Sequence, residues 1–176
     1  MRNTIQTRRL ALRGLRESDA LAVAQLVNNP RIACNLIAVR HPYTLDDAQS
    51  WLRSGSQAHV FAVMLKKELI GIVGLEPDPS VISSAELGYW LGEPWWGRGL
   101  MAEAARAVLG HAFTSAGLER LTSGCRYGNE ASWRILSRLG FRHVSHARVY
   151  SLGRKAMMEI ATFELTRREW LRSKAG

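Results

Sequence analysis

Apolar and polar residues alternate along this chain in two different periods, which predict strands and helices in turn. Residues 7–15 alternate at every second position, as a half-buried strand does. A helical apolar period then covers residues 17–28, and residues 44–52 have the signature of a helix start. Residues 59–65 and 69–75 are predicted to pair as a hairpin. The first part of the chain is therefore predicted to hold both strands and helices.

The rest of the chain continues this alternation around a glycine-rich segment. A strand at residues 85–91 leads into the sequence GEPWWGRG at residues 92–99, and a helix with apolar residues at helical spacing follows at residues 100–115. The remaining predicted elements are a strand at 120–126, a helix capped by Asn129 and ended by Gly140, and strands at 141–150 and 156–166. Strands outnumber helices in a mixed order. We therefore predict an α+β fold, with a largely antiparallel sheet of about seven strands and helices on both faces.

Length and composition limit the class of protein. A chain of 176 residues that is 47% hydrophobic can bury one sizeable core, so we expect one domain. No apolar run approaches the roughly 20 residues that cross a bilayer, so we expect a soluble, cytoplasmic protein without a membrane partner. The two cysteines, Cys34 and Cys125, lack metal-ligand spacing and are expected to be reduced.

The charge of the chain predicts anionic partners without choosing among them. The formal net charge is +9, which suits a nucleic acid, a phosphorylated cofactor or an acidic peptide. Basic residues are spread as singles and pairs and form no stripe interleaved with aromatic residues, so nucleic-acid binding is not directly predicted. The choice therefore depends on local motifs.

The glycine-rich segment is the first candidate for chemistry. A strand that ends in closely spaced glycines before a helix gathers several backbone N–H groups at the positive end of the helix dipole, where a phosphate can bind. The segment lacks the third glycine of the dinucleotide fingerprint, and it has no Gly-Lys-Ser/Thr of a Walker loop. By itself such a turn is equally consistent with a tight chain reversal.

Three separated motifs, taken together and in order, resemble the GNAT acetyltransferase superfamily and, within it, the ribosomal-protein alpha-amino acetyltransferases of RimJ/RimL type. The motifs are ELGYWL at residues 86–91, the glycine-rich segment with its helix start at 94–104, and NEAS at 129–132 followed by LGF at 139–141. The resemblance covers nearly the whole chain. It implies a single acetyltransferase domain over residues 1–176, with a central parallel strand pair that splays apart at the cofactor site.

The resemblance also implies acetyl-CoA as the co-substrate and a set of binding residues. Backbone amides of the loop would hold the CoA pyrophosphate, at Gly97, Arg98, Gly99, Leu100, Met101 and Ala102. The backbone around Trp90 and Leu91 would hold the pantetheine arm and polarise the thioester carbonyl. Asn129 would hydrogen-bond the pantetheine, cap its helix, or do both. Met101 stands where the family usually has Gly or Ala, and we expect it to crowd the turn.

Acetyl transfer to an amine needs a base for the amine and a proton source for the departing thiolate. By the resemblance, Glu86 is the candidate base, and its alternative role is to pair with a basic neighbour or to orient the substrate. Ser132 is the candidate that stabilises or protonates the thiolate, and its alternative role is a local backbone hydrogen bond. Tyr89 and Tyr127 are lower-ranked proton donors that could instead be packing residues.

No metal site is predicted. His143 and His146 lie three residues apart on a predicted strand, a spacing that should turn their side chains to opposite faces. The leading acceptor is the alpha-amino group of a ribosomal or other protein, or of a peptide. A small-molecule amine acceptor, and a non-catalytic acyl-CoA-binding module, remain as alternatives. A homodimer is compatible with the sequence, which does not decide the oligomeric state.

Overall fold

An eight-stranded sheet forms the centre of the computed structural model, which describes residues 4–54 and 59–175. The strands are β1 (Ile5–Gln6), β2 (Leu10–Gly14), β3 (Val60–Leu65), β4 (Glu68–Pro77), β5 (Ser84–Leu91), β6 (Arg120–Arg126), β7 (Arg142–Ser151) and β8 (Ala156–Thr166). Their order in the sheet is β1-β2-β3-β4-β5-β6-β8-β7. The predicted strands are present, and the additional one is the two-residue β1, which pairs with β2.

Six α-helices connect or flank the strands in the described parts of the chain. They are α1 (Ala20–Val27), α2 (Pro30–Ala33), α3 (Leu45–Arg53), α4 (Leu100–Thr114), α5 (Glu130–Arg138) and α6 (Arg167–Ala175). The short α2 is not among the predicted elements, since the predicted helical period ends at residue 28. Asn29 begins this helix, because its Oδ1 accepts a hydrogen bond from the backbone N of Arg31 at 2.9 Å.

Two hydrophobic clusters lie on the two faces of the sheet, so the predicted helices on both faces are confirmed. The larger cluster includes apolar residues of α4, α5 and α6 together with inward-facing residues of the central strands. The smaller one includes residues of α1 and α3 against β3 and β4. None of the described helices is long and apolar enough to cross a membrane.

Strands β5 and β6 are the only parallel neighbours in the described sheet, and they separate soon after they meet. Residues 84–86 of β5 pair with residues 120–122 of β6, and no further backbone pairing joins the two strands. The Ser123 hydroxyl donates to the Leu87 carbonyl at 2.8 Å just beyond the last pair. The predicted splay is therefore confirmed. We call the space between residues 87–91 and 123–126 the strand groove.

Candidate active site

The glycine loop lies at the carboxyl end of β5, where the strand groove opens. Gly97 and Gly99 have φ angles of 74° and 69°, in the left-handed region that glycine adopts at little cost. Gly99 is the N-cap residue of α4, and the first intrahelical bond runs from Glu103 N to Gly99 O at 3.1 Å. The backbone N–H groups of residues 100–102 precede that bond and have no partner within the helix. The loop thus has the geometry of an anion site.

The predicted loop residues differ in their burial. Gly97, Arg98 and Gly99 are exposed. Met101 is 5% exposed and packs in the larger hydrophobic cluster. The side chain of Met101 therefore packs in the core.

A polar and aromatic network supports the turn that precedes the loop. The Trp96 indole Nε1 donates to the Leu91 carbonyl at 2.6 Å, and the Arg31 guanidinium carbon lies 5.3 Å from the centre of the Trp96 ring. Arg31 also forms an ion pair with Glu93, to which Asn29 Nδ2 donates at 2.7 Å. The start of α2 is thereby connected to the glycine loop, and the carbonyl of Leu91 already has a donor.

Glu86 occupies the last paired position before the strand groove. Its cross-strand neighbour on β4 is Glu76. Gly124 of β6 is also close, since a Cβ added there would lie 3.9 Å from Glu86 Oε1. Desolvation, and then the charge of Glu76, raise the pKa of Glu86. Glu86 is an exposed residue, so solvent still reaches its side chain in the open groove.

Glu86 has no ion-pair partner among residues 4–54 and 59–175. Pairing with a basic neighbour, which was one alternative for this residue, is therefore not observed within the described structure. A carboxylate with a raised pKa and no fixed cation can accept a proton. It can equally hold a substrate amine in place.

Asn129 and Ser132 meet at the start of α5. Asn129 Oδ1 accepts from the Ser132 backbone N at 3.3 Å, and Asn129 Nδ2 donates to Ser132 Oγ at 3.3 Å. The capping role of Asn129 is therefore present in this structure. The Tyr89 hydroxyl lies 3.5 Å from the Ser132 carbonyl oxygen, and desolvation raises the pKa of Tyr89. Tyr127 is 57% exposed and contacts the ring of His146 instead.

Comparison with known proteins assigns the family. Residues 9–142 match the family described as "Acetyltransferase (GNAT) domain". The chain belongs to the GNAT acetyltransferases. It is accordingly an N-acetyltransferase, and acetyltransferases of this family use acetyl-CoA.

Individual relatives agree with this assignment. The chain is 27% identical to the N-acetyltransferase p20 of Bacillus licheniformis over 176 residues, which cover 95% of this chain and 98% of the relative. It is 32% identical to the ribosomal-protein-serine acetyltransferase of Escherichia coli over 90 residues, 51% of this chain and 50% of that protein. A RimL ribosomal alpha-N-protein acetyltransferase solved with coenzyme A superimposes with a TM-score of 0.82 at 19% identity, covering 93% of this chain and 98% of that one.

The two histidines of β7 lie on the same face of the strand, contrary to the prediction from their spacing. His143 and His146 were expected on opposite faces of a strand. A register shift at Val144 inserts an extra residue into β7, so both rings lie on the same face with their centres 4.6 Å apart. Within the described residues, no group of three or more His, Cys, Asp or Glu side chains is arranged to hold a metal ion.

Several residues of the GNAT site were not found by sequence reasoning. Trp96 is not among the predicted site residues, whereas its indole Nε1 donates to the carbonyl of Leu91 at the end of β5. Arg9, Arg31 and Glu103 were not singled out as site residues, although Arg9 and Arg31 reach the glycine loop and its preceding turn from distant parts of the chain. No local pattern identifies such long-range partners.

Proposed function

We propose that this GNAT enzyme transfers the acetyl group of acetyl-CoA to the alpha-amino group of a protein or peptide. The observation that carries the proposal is the strand groove, which leads from the glycine loop to Glu86. The names of the relatives that act on ribosomal proteins favour a protein N-terminus as acceptor. We also infer a cytoplasmic location, as expected from the sequence.

The residues of the loop and groove suit the parts of acetyl-CoA. The backbone amides of residues 97–102 would bind the pyrophosphate, supported by the dipole of the 15-residue α4. The backbone of Trp90 and Leu91, on the edge that β6 leaves unpaired, would hold the pantetheine arm. Because the Leu91 carbonyl already accepts a hydrogen bond from Trp96, we expect the pantetheine arm to bind mainly to backbone N–H groups on this edge. Asn129 would add a hydrogen bond while it caps α5.

The proposed chemistry is a direct transfer. The neutral amine nitrogen attacks the thioester carbonyl, an N–C bond forms, the C–S bond breaks, and the amine proton passes to Glu86 directly or through one water. The thiolate of CoA then takes a proton. Ser132 is the proposed group that stabilises or protonates it. Tyr89 is the alternative donor, and its raised pKa keeps the phenol protonated across the working pH range.

A mass-spectrometric screen tests the acceptor. Peptides that differ in their first residue, a polyamine and an aminoglycoside are incubated with acetyl-CoA and the enzyme, and thiol release is followed in parallel. We expect acetylation at peptide alpha-amino groups. Product confined to small amines would overturn the acceptor class, and CoA binding without thiol release for any amine would favour a non-catalytic module.

A further inference from the structure

The segment that precedes β2 reaches across the molecule to the glycine loop. Arg9 Nη1 donates to the carbonyl of Arg98 at 3.0 Å, and Arg9 Nε donates to Glu103 Oε2 at 2.6 Å. The other oxygen of Glu103 accepts from the backbone N of Arg9 at 2.8 Å and from the Thr7 hydroxyl at 2.7 Å. The guanidinium is therefore held in one orientation against the loop, by a carboxylate from the first turn of α4.

One nitrogen of this guanidinium remains free. Arg9 Nη2 makes no hydrogen bond to the described part of the chain, whereas Nε and Nη1 each make one. The same Nη2 would lie 3.7 Å from a Cβ added at Gly99. Its two N–H groups thus lie beside the turn whose backbone amides are also unpaired. Arginine favours this arrangement because its planar fork can bind phosphate with donors left over from other contacts.

Arg9 also neutralises the charge of Glu103 beside the glycine loop. Desolvation acts to raise the pKa of Glu103, but hydrogen bonds from Thr7 and Arg9 outweigh it and lower that pKa, so the carboxylate is charged at neutral pH. An unpaired carboxylate in the first turn of α4 would repel a phosphate at the loop. Arg9 neutralises this charge and presents its remaining donors to the same place.

We propose that Arg9 is a phosphate-binding residue of this site, with Nε and Nη1 fixing the guanidinium and Nη2 donating to a phosphate oxygen of coenzyme A. This inference rests on the proposed use of acetyl-CoA by the loop. The phosphate is that of the pyrophosphate or of the ribose, two sources with the same chemistry. Direct binding to ligands that lack one or both groups distinguishes them.

The test compares Arg9→Gln with Arg8→Gln, a neighbouring exposed arginine that forms no ion pair with residues 4–54 or 59–175. Dissociation constants are measured by calorimetry for CoA and 3′-dephospho-CoA, and by NMR titration for pantetheine. Loss of a charge-assisted hydrogen bond predicts about tenfold or more weaker CoA binding for Arg9→Gln relative to Arg8→Gln. Pantetheine should bind both variants equally, because it carries no phosphate.

The pattern across the three ligands decides the outcome. Equal losses for CoA and 3′-dephospho-CoA support contact with the pyrophosphate, and a loss for CoA alone supports contact with the ribose phosphate. A loss that extends to pantetheine, or none relative to Arg8→Gln, overturns the inference. Failure of the unaltered enzyme to bind CoA would instead refute the proposed function. If thermal unfolding shows that Arg9→Gln does not fold, the Arg9→Lys variant takes its place. Its loss of CoA affinity should then be smaller, and it should again be absent for pantetheine.

Discussion

Glu86 lies where the parallel pairing of β5 and β6 ends, with the carboxylate of Glu76 on the neighbouring strand. Desolvation and this like charge both disfavour the ionised form of Glu86, which brings its pKa closer to the range in which a base works. Glu86 thus differs from the seven carboxylates that form ion pairs within the described residues. Its protonation is expected to control the acidic side of the pH–rate profile.

Replacing Glu86 by Gln is expected to lower turnover by about 100-fold, a typical contribution of a general base. The loss should be largest at pH values where Glu86 is ionised in the unaltered enzyme, and it should shrink on the acidic side of the profile, where that carboxylate is already protonated. The Michaelis constant for acetyl-CoA should change little. Steady-state thiol release at a series of pH values measures both, with the exposed Glu68→Gln as the control, and an unaltered pH profile would remove Glu86 from the base role.

Replacing Glu76 by Gln is expected to shift the acidic limb of kcat/KM to lower pH. The like charge of Glu76 contributes to the raised pKa of Glu86, so its removal lowers that pKa and leaves more base ionised under acidic conditions. The maximal rate should be nearly unchanged, since Glu86 itself is retained. The same thiol-release assay measures this shift, again with Glu68→Gln as the control. If the acidic limb of kcat/KM keeps its position, protonation of Glu86 does not determine that limb.

Helix α6 illustrates how a local motif organises an element. The Glu169 carboxylate accepts from the Thr166 backbone N at 2.9 Å and from its hydroxyl at 2.7 Å, and the Thr166 hydroxyl accepts from Glu169 N at 3.3 Å. This reciprocal pair is a capping box at the junction of β8 and α6. Arg142 of β7 adds an ion pair at 2.8 Å. The cap therefore joins the last helix to the edge of the sheet.

Acid should weaken this cap in a defined range of pH. The hydrogen bonds from Thr166, with a smaller contribution from Arg142, lower the pKa of Glu169 from 4.5 to about 2. A depressed folded-state pKa contributes stability that is present above the unfolded value of 4.5 and is lost as the pH falls towards 2. Glu169→Gln keeps an acceptor for the cap but does not titrate.

The free energy of unfolding of the Glu169→Gln variant should therefore fall less steeply with acidification than that of the unaltered protein. Urea unfolding at a series of acidic pH values measures this slope. The exposed Glu17→Gln serves as control. Identical slopes for Glu169→Gln and the unaltered protein would contradict the role assigned to the cap.

Gly97 in the loop and Gly110 in helix α4 should respond in opposite ways to replacement by alanine. Gly97 has a φ of 74° and nothing within 4 Å of an added Cβ, so Gly97→Ala introduces backbone strain without a clash. It is expected to destabilise the protein by about 1 kcal/mol. Gly110 lies within α4 with equally open space, and Gly110→Ala should stabilise the protein by roughly 0.5–1 kcal/mol. Urea unfolding measures both, and changes of the same sign would refute the distinction.

At the scale of the whole molecule, the strand groove opens between two strands that both belong to the central sheet. Each of these strands also contributes to the larger hydrophobic cluster, through residues such as Leu87 and Leu121. A ligand that occupies the groove and the glycine loop would therefore bind the folded state and not the unfolded chain. Its binding free energy adds to the stability of the whole domain.

CoA at about 100 times its dissociation constant is expected to add roughly 2.7 kcal/mol to the free energy of unfolding. For a domain of this size the thermal midpoint should rise by roughly 5–10 °C. Differential scanning fluorimetry with increasing CoA measures the shift, and adenosine at equal concentration is the control. A midpoint independent of CoA would contradict binding in the groove.

The pattern of the sequence predicted most elements and the position of the site, because these depend on local information. Apolar periods of two and 3.6 residues specify which face of a strand or helix is buried, and closely spaced glycines mark the turn at Gly97 and Gly99. The family motifs added the splay of the parallel strands. The capping box at Thr166 and Glu169 was also present in the sequence, and α6 was missed although this signal could have predicted it.

Other features were decided only by the tertiary structure, because they join residues that are far apart in the chain. Arg9 and Glu103 meet across 94 positions, and their contact depends on how β2 and α4 pack. The bulge at Val144, which places both β7 histidines on one face, depends on register with β8. The sequence by itself thus determined the elements, the glycine loop and the family. Partners brought together by packing and strand register depend on the whole fold, and no local pattern encodes them.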